Sequence, residues 1–286
     1  MNSKPIVFYH EDCIDGFGAA YAAWTKLGEE AEYVPSSYKT EVHPEDFINL
    51  ISDREVYILD FSFSKPVMEL ALTYASKVIW IDHHPGSIDL VKELRNFPTI
   101  NPPDFVVSPS RSGAFWSWKY FNPEEEVPTL FKIIDDYDRW QLKDPDTKAI
   151  IAAVISYIPW SFKQWENRFL RLENSRDYYH LVDSGNAILR YQNFLAEEVV
   201  KTRRNHIVNC PLYLVNEVGF KIATLTGEYG LCYHIGGDNI VKCSLRSNGF
   251  DVSEIAKKYG GGGHKTAAAF YMPLKEFTEN FLHERY

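Results

Sequence analysis

Residues Lys77-Val78-Ile79-Trp80-Ile81 form an apolar run that stops abruptly on Asp82-His83-His84 and then turns at Pro85-Gly86. A continuous apolar run of this length predicts a strand buried on both faces, which is the habit of parallel sheets covered by helices. Such sheets bind ligands beyond the carboxyl ends of their strands. One carboxylate and two imidazoles are crowded at that end. Alone, the stretch reads equally as an Asp that orients a strand-capping His and as a site for chemistry.

Two more runs follow the same plan. Pro5-Ile6-Val7-Phe8-Tyr9 ends at His10, and Glu55-Val56-Tyr57-Ile58-Leu59 ends at Asp60. Parallel strands share one carboxyl-end edge, so His10, Asp60 and Asp82-His83-His84 are expected on the same side of one sheet. Between the runs lie Glu11-Asp12-Cys13-Ile14-Asp15-Gly16-Phe17-Gly18 and a small-residue helix around Ala19–Trp24, the start of a βαβ unit. Further helices are expected over Glu41–Asp53, Lys65–Ser76, Ile88–Arg95 and Ser110–Phe121, with another strand near Ala31–Pro35. Pro128 opens a helix whose Leu130, Ile133 and Ile134 have helical spacing and which runs into Asp135-Asp136-Tyr137-Asp138.

From about Ile150 to Asn205 the pattern is helical. Beyond it, Leu212–Val215, Lys221–Leu225 and Ile240–Leu245 read as strands. With 286 residues, 45% of them hydrophobic, the chain has material for two cores. The expected fold class is therefore α/β: a parallel-sheet domain with helices on both faces over 1–185, a linker helix over 186–206, and a smaller α+β domain over 207–286.

The net charge of −9 and the lack of a basic stripe beyond Lys201-Thr202-Arg203-Arg204 argue against a stable grip on a long nucleic-acid duplex. A small or short phosphorylated substrate fits better. No apolar run approaches the ~20 residues that span a bilayer, so no membrane partner is expected. Met1-Asn2-Ser3-Lys4-Pro5 leads directly into a strand with no signal-peptide pattern, and Cys13, Cys210, Cys232 and Cys243 lack Cys-x-x-Cys spacing. A reducing, cytoplasmic location is expected.

The two imidazoles and three carboxylates of His10, Asp15, Asp60, His83 and Asp136 form a donor set suited to Mn²⁺ or Mg²⁺. Ser244-Leu245-Arg246-Ser247 and the run Gly260-Gly261-Gly262-Gly263-His264 supply a second constellation. Its free backbone N–H groups, an Arg and a His could hold a phosphate. Tyr229 and Phe250 are candidates for stacking on a base.

Together these motifs resemble the DHH phosphoesterase superfamily. The Asp82-His83-His84 strand end, the His10…Asp15-Gly16 loop, Asp60 and Asp136 match its catalytic domain. The Ser244–Ser247 and Gly260–Ala269 stretches look like its DHHA1 substrate-binding domain. The resemblance implies a hydrolase that uses metal-activated water, with one or two Mn²⁺ ions (Mg²⁺ as the alternative). The implied metal ligands are His10, Asp15, Asp60, His83 and Asp136, with Asp12 or Cys13 completing the set. His84 and Asp82 are implied as catalytic, His84 near the scissile phosphate and Asp82 orienting a His. Arg246, Ser247, Gly261, Gly262, Gly263 and His264 are implied to bind substrate. Short oligonucleotides or dinucleotides lead as substrates. Polyphosphate, pyrophosphate and nucleoside bisphosphates are alternatives, as is a non-catalytic nucleotide-binding module. An oligomer is compatible with all of these. Many members carry Asp-x-Asp where this chain has Cys13-Ile14-Asp15, which sets Cys13 where an acid is usual.

Overall fold

The structure is a computed structural model that describes residues 4–11, 13–37, 41–99, 101–168, 172 and 174–282. Asp12, Phe169 and Leu170, which entered the expectations above or lay within their helical segment, fall outside the described residues. The chain forms two compact units, Met1–Asn186 and Ala187–Tyr286.

The first unit alternates strand and helix: β1 (Ile6–His10), α1 (Ile14–Leu27), β2 (Glu32–Ser36), α2 (Pro44–Ile51), β3 (Glu55–Leu59), α3 (Lys65–Tyr74), β4 (Lys77–Asp82), α4 (Pro85–Leu94) and β5 (Asp104–Val107). All five strands are parallel, in the order β2-β1-β3-β4-β5. Sequential strands lie on opposite sides of β1, so the chain reverses its winding between β1 and β3. That reversal opens a crevice at their carboxyl ends. β5 was not foreseen, because Asn101-Pro102-Pro103 reads as a break.

The apolar strands divide their side chains between two cores. Val7, Leu59, Ile79 and Ile81 pack under α1 and the helices that follow β5: α5 (Gly113–Phe121), α6 (Thr129–Asp138), α7 (Thr147–Ile155) and α8 (Phe162–Arg168). Ile6, Phe8, Ile58 and Trp80 pack under α2, α3 and α4. Strand period 2 sends neighbours to opposite faces, and helices on both faces explain why the inner positions of β1, β3 and β4 are apolar. Gly18 lets α1 approach α5: a Cβ there would lie 2.9 Å from that of Ala114.

A long helix, α9 (Ser175–Lys201), contains the division between the units. The second unit holds β6 (Ile207–Asn209), α10 (Val215–Thr226), β7 (Tyr229–Ile235), β8 (Ile240–Ser247), α11 (Ser253–Lys258), β9 (Gly262–His264) and β10 (Ala267–Pro273). Its sheet runs β6-β7-β8-β10-β9, antiparallel except for β6 beside β7. Two expected strands are corrected here. Lys221–Leu225 lies within helix α10, and Leu212–Leu214 is a short 3₁₀ turn leading into it. Val215, Val218, Gly219, Ile222 and Ala223 are buried at helical spacing, and that period outweighs their β-branched content. Among the described residues, no helix is long and apolar enough to cross a membrane.

Candidate metal centre

Asp60 lies at the centre of the crevice. It follows β3 directly, 1% exposed, with φ at +62°. Few side chains tolerate that left-handed conformation, and Asp is among the better ones. Its N–H donates to Ile81 O at 2.8 Å, which ties this turn to β4. The resulting orientation sends its two oxygens in different directions. Oδ2 faces His10 Nδ1 at 3.4 Å and Oδ1 faces His83 Nε2 at 3.2 Å. Neither oxygen makes a hydrogen bond of normal geometry, and nor does His83 Nε2. A buried carboxylate left in this state is costly unless a charged partner completes it.

Asp15, fully buried in the first turn of α1, is engaged on one side by the start of α5. It accepts from Gly113 N at 2.8 Å and Ala114 N at 2.9 Å. The positive end of that helix favours the carboxylate. Its Oδ2 also faces His83 Nε2 at 3.5 Å. Gly113 has no side chain for a reason: a Cβ would lie 2.5 Å from Asp60 Oδ1. Gly16 likewise cannot carry one, since His10 O would be 2.2 Å away.

At the end of β4, Asp82 is buried and organises its neighbours. It accepts from His83 N at 2.7 Å, from His84 N at 3.2 Å and from Ser87 Oγ. It also takes His84 Nδ1 at 2.7 Å. A carboxylate only accepts, so His84 donates from Nδ1 and its orientation is held by Asp82.

The structure places the Asp136 carboxylate outside this group. Its carboxylate accepts from Thr147 Oγ1 at 2.6 Å, Lys143 N at 2.9 Å and Asp144 N at 3.2 Å, and so closes the loop before α7. The acid of α6 that reaches the crevice is Asp138, whose Oδ2 is 3.3 Å from His83 Nε2. At about 100° per residue, Asp136 is roughly 200° round the helix from Asp138. The usable signal was the line Leu130, Ile134, Asp138, which continues a buried face at spacing 4. Asp135, next in the acid cluster, is buried against Ser112 N and Arg111 instead.

Two donor sets result. His10, Cys13 and Asp60 hold their donor atoms within 4.8 Å of one another, as do Asp15, His83 and Asp138. A third grouping joins Asp60, Asp82, His83 and His84. Burial, then the charges of Asp60 and Asp138, push the Asp15 carboxyl well above its usual range. Burial opposes charge on Asp60, but His10, His83 and His84 outweigh it and hold its carboxyl far below that range. Burial lowers His83, and Asp60, Asp15 and Asp138 more than reverse this and raise it to about 10. His84 is likewise raised, with Asp82 and Asp60 overcoming burial. The Cys13 thiol is pushed well up by burial and then by Asp60, Asp138 and Asp15, so without a cation it is no free nucleophile. The Asp60 oxygens and His83 Nε2, buried without hydrogen bonds of normal geometry beside further carboxylates and an imidazole, fit divalent cations.

In the second unit, Arg246 leaves β8 with its Nε donating to Asn216 Oδ1 at 2.7 Å and its Nη1 to Leu245 O at 2.8 Å. Gly219 on α10 makes room for it. Arg246, Lys242, Ser244, Gly262 and Gly263 line a groove of about 290 Å³. The glycine run is not an open loop. Gly262, Gly263 and His264 form edge strand β9, paired with Ala269, Ala268 and Ala267. Gly261 and Gly263 are demanded by packing, since a Cβ at either would meet a β10 carbonyl oxygen within 2.6 Å. Ser247 is buried and donates to Phe250 O, while His264 is exposed on the edge. Phe250 is half exposed beside Tyr229, ring centroids 5.7 Å apart.

Comparison with known proteins agrees with this arrangement. Residues 221–284 match the DHHA1 domain family. The uncharacterized protein R106 of Acanthamoeba polyphaga mimivirus is 30% identical over 296 residues, covering 92% of this chain and 66% of that one. The oligoribonuclease NrnB of Bacillus subtilis is 22% identical over 288 residues, covering 92% of this chain and 71% of its own. The chain thus spans about two thirds of the length of these relatives. Among solved structures, an exopolyphosphatase-related protein from Bacteroides fragilis is 14% identical with a TM-score of 0.47, covering 98% of this chain and 91% of that chain. With a DHHA1 match over residues 221–284, an oligoribonuclease relative along most of its length, and Asp82-His83-His84 closing a central strand, the chain is similar to the DHH phosphoesterase superfamily.

Proposed function

We propose that this chain is a divalent-metal-dependent phosphodiesterase that hydrolyses short oligonucleotides or dinucleotides. The observation that carries the reading is Asp60, a buried carboxylate whose two oxygens face two different donor sets. His10 and Asp60 would hold one divalent ion, and Asp15, His83, Asp138 and Asp60 a second, Mn²⁺ or Mg²⁺. Such ions supply polarisation of a phosphoryl group and an activated water nucleophile when bound. The chain's own groups do the rest. His84, oriented through Nδ1 by Asp82, would donate from its ring to a phosphate oxygen. Asp82 positions His84 rather than meeting the substrate. Arg246, with Lys242 and Gly262 in the same groove, would hold a phosphate, Arg by paired N–H groups. The oligoribonuclease name of the Bacillus relative supports a nucleotide substrate.

The test is hydrolysis with added Mn²⁺ across dinucleotides, longer oligomers, a 3′,5′-bisphosphate, a cyclic dinucleotide and polyphosphate. Mononucleotide release from the shortest oligomers is expected to be fastest. Preferential cleavage of polyphosphate would replace the diester reading with phosphoanhydride hydrolysis. No Mn²⁺-dependent turnover of any of them would remove both.

A further inference from the structure

We propose that Cys13 is itself a metal ligand, so that the two cation positions flanking Asp60 are chemically unlike. The sulfur position then takes a borderline ion of the Zn²⁺, Co²⁺ or Fe²⁺ class, and the oxygen-rich position takes Mn²⁺ or Mg²⁺. The inference rests on the two-cation reading above and concerns which ions the site selects.

Three observations carry it. Cys13 offers its sulfur within 4.8 Å of donor atoms of both His10 and Asp60. Ligands of one tetrahedral ion, at bond lengths of 2.0–2.3 Å, lie roughly 3.3–3.8 Å from one another, so closing this set needs shifts of about an ångström. Second, Asp60 is 1% exposed, neither of its oxygens makes a hydrogen bond, and Oδ2 is the oxygen turned to the His10 side. Third, Cys13 occupies the N-cap position of α1 without capping it through its side chain. Ser, Thr, Asn or Asp would be usual there for capping.

The two sets differ in kind. His10, Cys13 and Asp60 give nitrogen, sulfur and oxygen, whereas Asp15, His83 and Asp138 give nitrogen and two carboxylates. Thiolate favours softer ions, and carboxylate-rich sets suit Mn²⁺ and Mg²⁺. Asp60, turned to both, lets one carboxylate serve two unlike neighbours. The other three cysteines, Cys210, Cys232 and Cys243, are all buried in the second unit, which makes a spectroscopic assignment to Cys13 clean.

The experiment titrates Co²⁺ into the metal-free full chain and follows its absorption. A thiolate-to-cobalt charge-transfer band in the near ultraviolet is expected, saturating at one equivalent and lost in Cys13→Ser. That variant keeps a good N-cap residue, and far-ultraviolet circular dichroism reports its folding. A second measurement needs no variant: zinc-edge X-ray absorption of the wild type should show one sulfur at about 2.3 Å among shorter N/O ligands. In Cys13→Asp, the preference for Zn²⁺ over Mn²⁺ should fall at least about tenfold. Cobalt binding without the band, a zinc shell of N/O alone, or a band that survives in Cys13→Ser would overturn the proposal and leave the two-cation reading standing. Failure to bind any divalent ion, read by calorimetry, would overturn both.

Discussion

Adding one methyl group at Gly113 tests the centre without touching a charged side chain. Gly113 begins α5, and its N–H holds Asp15 Oδ2 at 2.8 Å. A Cβ built on it falls 2.5 Å from Asp60 Oδ1, 2.7 Å from Asp60 Cβ and 2.8 Å from Cγ. Ordinary contact begins near 3.4 Å, so in Gly113→Ala the Asp60 carboxylate must retreat by about 0.9 Å, the difference between the two distances. Asp60 has little freedom to do so, because its backbone is already left-handed and bonded to β4. A displacement near 1 Å at a reacting centre costs on the order of 10²-fold in rate. Overpacking of this kind costs about 1–3 kcal/mol of stability, which a domain of this size survives. The assay pairs Mn²⁺-dependent release of mononucleotides with calorimetric metal stoichiometry and a thermal melt. A folded Gly113→Ala protein with fewer bound ions and about 1% of wild-type turnover is expected. Near-wild-type turnover with full metal occupancy would refute the central position given to Asp60.

The acids of α6 should separate cleanly. Asp138→Asn is expected to lower metal-dependent turnover at least about 100-fold with an unchanged melt. Asp136→Ala should retain activity and lose roughly 1–3 kcal/mol through its three broken hydrogen bonds, read by urea titration. Arg246→Ala should raise KM far more than it lowers kcat on a dinucleotide, as expected of a residue proposed to hold substrate phosphate rather than to act on the reacting atoms. His206, half-buried with Nε2 3.0 Å from Tyr229 Oη, has its pKa lowered by burial against a smaller opposing pull from Glu228. A depressed pKa means the folded state prefers the neutral ring. That share of stability is complete above the unfolded value near 6.5 and is lost as pH falls through the lower folded value. Thermal melts between pH 7.5 and 5 should therefore show wild type losing more than His206→Gln. Parallel losses in the two proteins would contradict the sign.

Local patterns in the chain carried much of this. Three apolar runs ending on His10, Asp60 and Asp82-His83-His84 are legible because a parallel strand buried on both faces must be apolar throughout, so its first polar residue marks its end. The shared edge follows from strand direction alone. Helical phase was harder. In Asp135-Asp136-Tyr137-Asp138 the three acids differ only by rotation about α6, and that rotation is set by how Leu130 and Ile134 seat in the core. Lys221–Leu225 shows the same limit: a short apolar segment rich in β-branched and aliphatic residues fits either period until its neighbours choose.

What the sequence by itself determined is the α/β plan and the inventory of donors at one sheet edge, since both depend on local polarity and strand period. What only the tertiary structure decided is which donors meet. Asp138 rather than Asp136 faces His83, Asp15 shares its carboxylate with the start of α5, and the glycines before His264 become an edge strand instead of an open anion nest. The reason is physical. A ligand set is defined by distances of a few ångströms between residues as far apart in sequence as Asp15 and Asp138, and those distances come from packing helices onto a sheet, which no local pattern encodes.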